Sequence, residues 1–172
     1  MFLSATPVGL RSGAVKQLDI RKANPGDAPD IASVLAEAFG EYESLYTAKA
    51  YSATTPNSDA IRSRFAEGET WIAEVAGKIV GTVSALSKNE SLYIRSMAIL
   101  PTARGNRIGE RLLAAVEEFA LANGYRRLSL STTPFLHRAI RLYERLGFER
   151  SDEPPRELYG TPLMTMSKNL NC

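Results

Sequence analysis

The residues most able to do chemistry in this chain are Arg104-Gly105-Asn106-Arg107-Ile108-Gly109-Glu110. The two arginines supply positive charge, and Gly105 permits tight turning and close backbone approach. An amphipathic pattern starting near Arg107 predicts a helix whose first amides lack intrahelical partners and lie at the positive end of its dipole. Such a loop and helix start bind anions, so the expected guest is a phosphate or pyrophosphate. The phosphate loop of nucleotide hydrolases is excluded because no Gly-Lys-Ser/Thr follows, and the dinucleotide fingerprint does not fit the spacing.

Positioning that loop requires a strand before it and a packed helix after it. Leu92 to Leu100 reads as a central strand that stops at Pro101. The following helix places Ile108, Leu112, Val116 and Phe119 on one face, turns Glu110, Arg111, Glu117 and Glu118 outward, and ends at Asn123-Gly124. Before this core come a strand over Gln17–Ala23 and a helix capped by Asp27, with Ile31, Val34, Leu35, Ala38 and Phe39 on one face. Residues Gly40–Pro56 have no clear period. A short helix over Ser58–Glu67 follows, then a hairpin of Trp71–Val75 and Ile79–Leu86 across Ala76-Gly77-Lys78. After the central unit come a strand over Arg126–Thr132, a helix carrying Leu136, Ile140, Tyr143 and Leu146, a strand at Phe148–Arg150, a loop over Ser151–Pro162 and a closing strand, Leu163–Lys168. The elements imply a mixed α/β chain, with one sheet and helices on both faces.

Two stretches carry a resemblance to the GCN5-related N-acetyltransferase (GNAT) family. The family's acetyl-CoA motif is Arg or Gln, two variable residues, Gly, one variable residue, then Gly or Ala. Arg104 and Gly109 fill its ends, while Arg107 stands at the middle glycine, and Ala98-Ile99-Leu100-Pro101 matches the strand before the loop. The run Ala139 to Phe148, AIRLYERLGF, resembles the family's late helix, with Leu136 where Asn is frequent. The resemblance implies the GNAT fold: a central, mixed, mostly antiparallel twisted sheet flanked by helices. It further implies that Met97, Ala98 and Ile99 hold pantetheine through strand backbone, and that Arg104, Gly105, Asn106, Arg107, Ile108, Gly109 and Glu110 surround the pyrophosphate. Acetyl-CoA is then the co-substrate, and a primary amine attacks its thioester in a ternary complex.

In that chemistry Tyr143 matches the family's acid, placed to protonate the departing CoA thiolate. The usual basic Glu on the central strand is replaced by Arg95, leaving Glu41, Glu43, Glu74 or bound water as candidates; Arg95 could instead bind an acidic group on the acceptor. A small-molecule amine is expected as acceptor. The alternatives are a protein lysine or N-terminus, and a non-catalytic CoA-binding sensor. His137 and the arginines at 138, 141 and 145 read as solvated residues, and Trp71 as core.

The chain has 172 residues with 21 basic and 19 acidic side chains, a balance that gives no global case for nucleic acid or membrane partners. Its one cysteine, Cys172, cannot form an intramolecular disulfide, and no metal-binding cluster or plausible Cys or Ser nucleophile offers a rival route. Apolar runs fall short of the roughly 18 residues a membrane span needs. These features predict a flexible leader over 1–16, a single domain over 17–170 and a cytoplasmic setting. The family's frequent homodimers leave that assembly open here.

Overall fold

A computed structural model describes residues 17–171, so the expected leader lies outside the described residues. The elements run β1 (Leu18–Lys22), α1 (Ala28–Gly40), α2 (Ala48–Thr54), α3 (Ser58–Arg64), β2 (Glu69–Val75), β3 (Lys78–Lys88), β4 (Ser91–Ile99), α4 (Ile108–Ala122), β5 (Arg127–Thr132), α5 (His137–Arg145), β6 (Glu149–Arg150), β7 (Arg156–Leu158) and β8 (Thr161–Asn169). The strands form one sheet in the order β1-β2-β3-β4-β5-β8-β6, with β7 paired to β8. All pairings are antiparallel except β4 with β5. Thr70 to Ala73 are buried at four consecutive positions of β2, which requires cover on both faces of the sheet. On one face Trp71 meets Phe119 of α4 edge to face, with ring centroids 5.3 Å apart. Ile108, Leu112 and Val116 of α4 are buried, as are Ile31, Val34 and Leu35 of α1.

Three hairpins turn through two residues with positive φ: Ala76-Gly77, Asn89-Glu90 and Tyr159-Gly160. Such turns match the right-handed twist of the flanking strands. The third converts part of the loop expected over 151–162 into the β7–β8 hairpin, and β8 begins at Thr161 rather than Leu163.

Two other expectations need correction. Asp27 does not cap α1; its carboxylate accepts from the Asn24 amide at 2.9 Å and from both terminal nitrogens of Arg21, while Asn24 caps the short 3-10 turn ahead of the helix. Arg21 thereby holds Asp27 below the usual carboxylate pKa. The segment without sequence period contains a 3-10 turn, Glu43–Leu45, and α2, whose cap is Thr47. A helix of seven residues is too short to display a face by periodicity.

Candidate active site

Strand β4 changes register halfway along. Thr82 pairs with Ala98 and Ser84 with Arg95, so Ser96 and Met97 together stand opposite Val83. Ser96 adopts φ 52°, the left-handed region that a side-chain-bearing residue enters at a cost of about 1–2 kcal/mol. This bulge bends β4. The parallel ladder to β5 is correspondingly short: Leu92, Tyr93 and Ile94 pair with Leu128, Ser129 and Leu130, and no pair follows. Beyond Ile94 the two strands diverge, leaving an opening inside the sheet.

That opening is part of a cavity of about 900 Å³. Met97, Ala98, Ile99, Arg104, Gly105, Arg107, Ile108, Gly109, Glu110 and Tyr143 all line it, so ten of the residues singled out in the sequence come together. Asn106 is the exception. Its side-chain amide donates to the Ala103 carbonyl at 3.0 Å and braces the turn instead.

The loop is held in the conformation its sequence makes difficult. Gly105 has φ 84° and Arg107, at the N-cap of α4, has φ 57°. Arg107 contributes no side-chain cap, so the first-turn amides of α4 are left to another acceptor. A Cβ at Gly109 would come within 2.7 Å of Leu142 and 3.0 Å of Met97, which explains a residue without side chain where α4 approaches α5 and β4. Arg104 donates to Glu41, and this bond is the main reason the Glu41 carboxyl sits below its ordinary pKa.

Across the cleft, α5 begins at His137 without a side-chain cap. Tyr143 is buried, and its hydroxyl donates to the Met97 sulfur at 3.7 Å. Burial pushes the phenol above its usual pKa, with the neighbouring Tyr93 adding to the shift. Arg138, Arg141 and Arg145 are exposed, yet they line the cavity rim rather than merely decorating a surface. Their spacing of three and four residues puts them on one helical face, a signal legible in the sequence. Arg145 bridges the mouth to Glu110 of α4 at 2.8 Å.

The remaining wall includes residues 40–56, which the family resemblance places at the border of the acceptor site, although none of the residues that line the cavity there was singled out in the sequence. Tyr42, Tyr46, Thr54 and Arg64, from α1, α2, α3 and their connections, line the cavity opposite the loop. Arg95 lines it too and pairs with Glu67 at 2.6 Å. Thr47 latches this wall to the β7–β8 hairpin: its hydroxyl donates to the Tyr159 carbonyl at 2.8 Å, and its amide donates to Thr161 Oγ1 at 3.0 Å. Among the described residues Glu110 is the one carboxylate lining the cavity; Glu41, Glu43 and Glu74 do not, and Glu74 is engaged by Arg21 Nε at 3.1 Å. No group of three His, Cys, Asp or Glu side chains among the described residues is arranged for a metal ion.

A cleft opened between two parallel strands, beside a glycine- and arginine-bearing helix start, agrees with the comparisons to known proteins. The model of the Acetyltransferase (GNAT) family matches residues 31–148. The chain belongs to the GNAT acetyltransferase family. Acetyl-CoA-dependent acetylation is general to this family, and the protein is an acyl-CoA-dependent acyltransferase. It is 34% identical over 139 residues to the uncharacterized N-acetyltransferase YjgM of Escherichia coli K12, covering 77% of this chain and 83% of that protein. Several longer animal relatives are matched over only 30–46% of their own length. The fold is shared with the PaiA N-acetyltransferase of Thermoplasma acidophilum in complex with coenzyme A, at TM-score 0.72 and 18% identity, covering 89% of this chain and 99% of that one. It is also shared with YncA of Salmonella typhimurium with acetyl-CoA, at TM-score 0.69 and 21% identity, covering 90% and 94%. No helix among the described residues is long and apolar enough to cross a membrane.

Proposed function

We propose that residues 17–170 form one acetyltransferase domain that moves an acetyl group from acetyl-CoA to the primary amine of a small molecule. The opening between β4 and β5 carries this reading. Past Ile94 the facing edges of the two strands have no partner strand between them, which suits an extended chain bearing amides. Pantetheine would lie there along Met97, Ala98 and Ile99. Its pyrophosphate would meet the first-turn amides of α4 and the cations of Arg104 and Arg107.

The amine must attack as the free base. For an alkylamine of pKa about 10.4, deprotonation at neutral pH costs roughly 4–5 kcal/mol. Because Glu41, Glu43 and Glu74 do not line the cavity, the proton leaves to water at the cleft mouth. The nitrogen forms a bond to the thioester carbonyl carbon, the carbon–sulfur bond breaks, the nitrogen gives up one proton to water as the amide forms, and the departing thiolate takes one proton from water to become CoA thiol. Tyr143 is the group assigned to the sulfur. Its present acceptor, the Met97 thioether, is weak, and a developing thiolate is a better one. A phenol near pKa 10 is already about 2 kcal/mol too weak to protonate a thiolate near 8.5 outright, and burial widens that gap. Hydrogen-bond donation as charge develops is therefore its role. A small acceptor is supported by the latched wall of α1, α2 and the β7–β8 hairpin over that end of the cavity.

The test is thiol release from acetyl-CoA against a panel of amines and peptides, with calorimetric CoA binding in parallel. Release stimulated by a small amine is the expected result. Release stimulated by peptides alone would move the assignment to protein acetylation.

A further inference from the structure

The end of the cavity opposite the pyrophosphate loop carries two guanidinium groups and no lining carboxylate among the described residues. Arg64, at the last turn of α3, donates from Nη1 to Ser96 Oγ at 3.0 Å, touching the bulge itself. No carboxylate of the described residues lies within 4.0 Å of its side-chain nitrogens. Arg95 donates Nη2 to Glu67, while its Nε is buried without a hydrogen-bond partner. Burial first, and then the charge of Arg95, hold the Arg64 guanidinium below its ordinary pKa. Arg95 stands two residues before Met97 and Arg64 bonds Met97's neighbour Ser96, so two cations lie beside Met97 with fewer counter-charges than they can use.

We infer that the acceptor is an amine that itself carries a carboxylate, an amino acid rather than a polyamine or basic peptide, and that Arg64 and Arg95 hold its carboxylate. This rests on the cleft being the site of acetyl transfer. A planar guanidinium offers a carboxylate two parallel N–H donors. An acceptor bearing further ammonium groups meets repulsion from the same pair, with no carboxylate of the described residues lining that end of the cavity to offset it. Binding the carboxylate at the bulge keeps the other end of the molecule free to bring its nitrogen toward Met97 and Tyr143, where the thioester would lie.

The experiment compares kcat/KM for free amino acids, their α-amides and methyl esters, taurine, spermidine and an aminoglycoside, all with acetyl-CoA, for the wild type, Arg64→Gln and Arg64→Lys. Calorimetry with CoA and a melting curve accompany each protein. Free acids should exceed their amides by about 10- to 100-fold, the range of a charge-assisted hydrogen bond. Arg64→Gln should collapse that ratio through KM, Arg64→Lys should restore part of it, and CoA affinity should persist in both. Equal turnover of acid and amide, or turnover led by spermidine, the aminoglycoside or taurine, would overturn the carboxylate assignment. So would a protein that binds CoA yet acetylates no amino acid in the panel. Failure of the wild type to bind CoA would instead overturn the reading of the cleft.

Discussion

The wall formed by β4, the loop after Pro101 and α4 is made of backbone, whereas the wall formed by α1, α2 and α3 is made of side chains. On the first, what matters is a bulge, two residues with positive φ at 105 and 107, and a glycine at 109 that lets helix and strand approach. On the second, it is Tyr42, Tyr46, Thr54 and Arg64, projected from short elements tied down by Thr47. Backbone recognition suits a partner whose extended shape does not change. Side-chain recognition lets a single substitution change which acceptor is admitted, so the two walls can vary independently.

Four measurements would break or sharpen that contrast. The largest effect is expected at the meeting point of the walls. Tyr143→Phe should lower kcat about 100-fold, the low end for losing one transition-state hydrogen-bond donor, while calorimetric CoA affinity stays near that of the wild type; unchanged kcat under single-turnover conditions would remove Tyr143 from the chemistry. Next, Arg104→Glu or Arg107→Glu should weaken CoA by about 10-fold or more but leave pantetheine binding intact. Equal losses for both ligands would point to misfolding of the loop.

A smaller effect is expected behind the acceptor wall. Asp27 anchors the start of α1, and Arg21 depresses its pKa. A depressed folded pKa contributes stability above the group's ordinary pKa, near 3.9, and that contribution is lost as pH falls through the folded value. Asp27→Asn should therefore cost about 1–2 kcal/mol at pH 7, and the gap to wild type should close in strong acid. A gap in melting temperature that is constant with pH would mean that charge is not the cause. The smallest effect concerns Arg107→Gly, which relieves a left-handed residue. Removing that strain and adding unfolded-state entropy nearly cancel, leaving a gain below about 1 kcal/mol, against a severalfold loss of CoA affinity. A clear destabilisation would show that the arginine side chain itself holds the turn.

The same division governs what could be read from the sequence. The β4–loop–α4 unit was legible because its function depends on residue types with backbone meaning: Pro101 ends a strand, Gly105 turns, and the apolar spacing from Ile108 orients a helix. Arg107 concealed its strain, since nothing in an arginine announces φ 57°. On the wall of α2 and α3 the resemblance indicated the region but not its residues, because their placement rests on long-range pairings. Arg64 reaches Ser96 across 32 residues and Thr47 reaches Thr161 across 114, and neither leaves a local pattern. Asp27 looked like a helix cap because its type and position fit one, but Arg21, six residues before it, offered a stronger partner. The β7–β8 turn hid behind Tyr159, an unusual occupant of a position with φ 46°. The α5 arginines are exposed, as the sequence indicated, but that their shared face borders a cleft depended on where α4 begins.

The three-residue ladder from Leu92 to Ile94 has a mechanical meaning. Among the described residues the backbone pairing between the β1–β4 half of the sheet and the β5–β8 half is confined to it, with one side-chain bond beside it, between the hydroxyls of Ser91 and Ser129 at 2.9 Å. The sheet is thus a beam with a notch cut into it, and an extended guest seated in the notch acts as a splice. Amide exchange at Ile99 and Ser131, which alternate with residues bonded to β3 and β8, should be fast in the empty protein and slow sharply when the splice is in place, with far less change at the already bonded edge between β2 and β3.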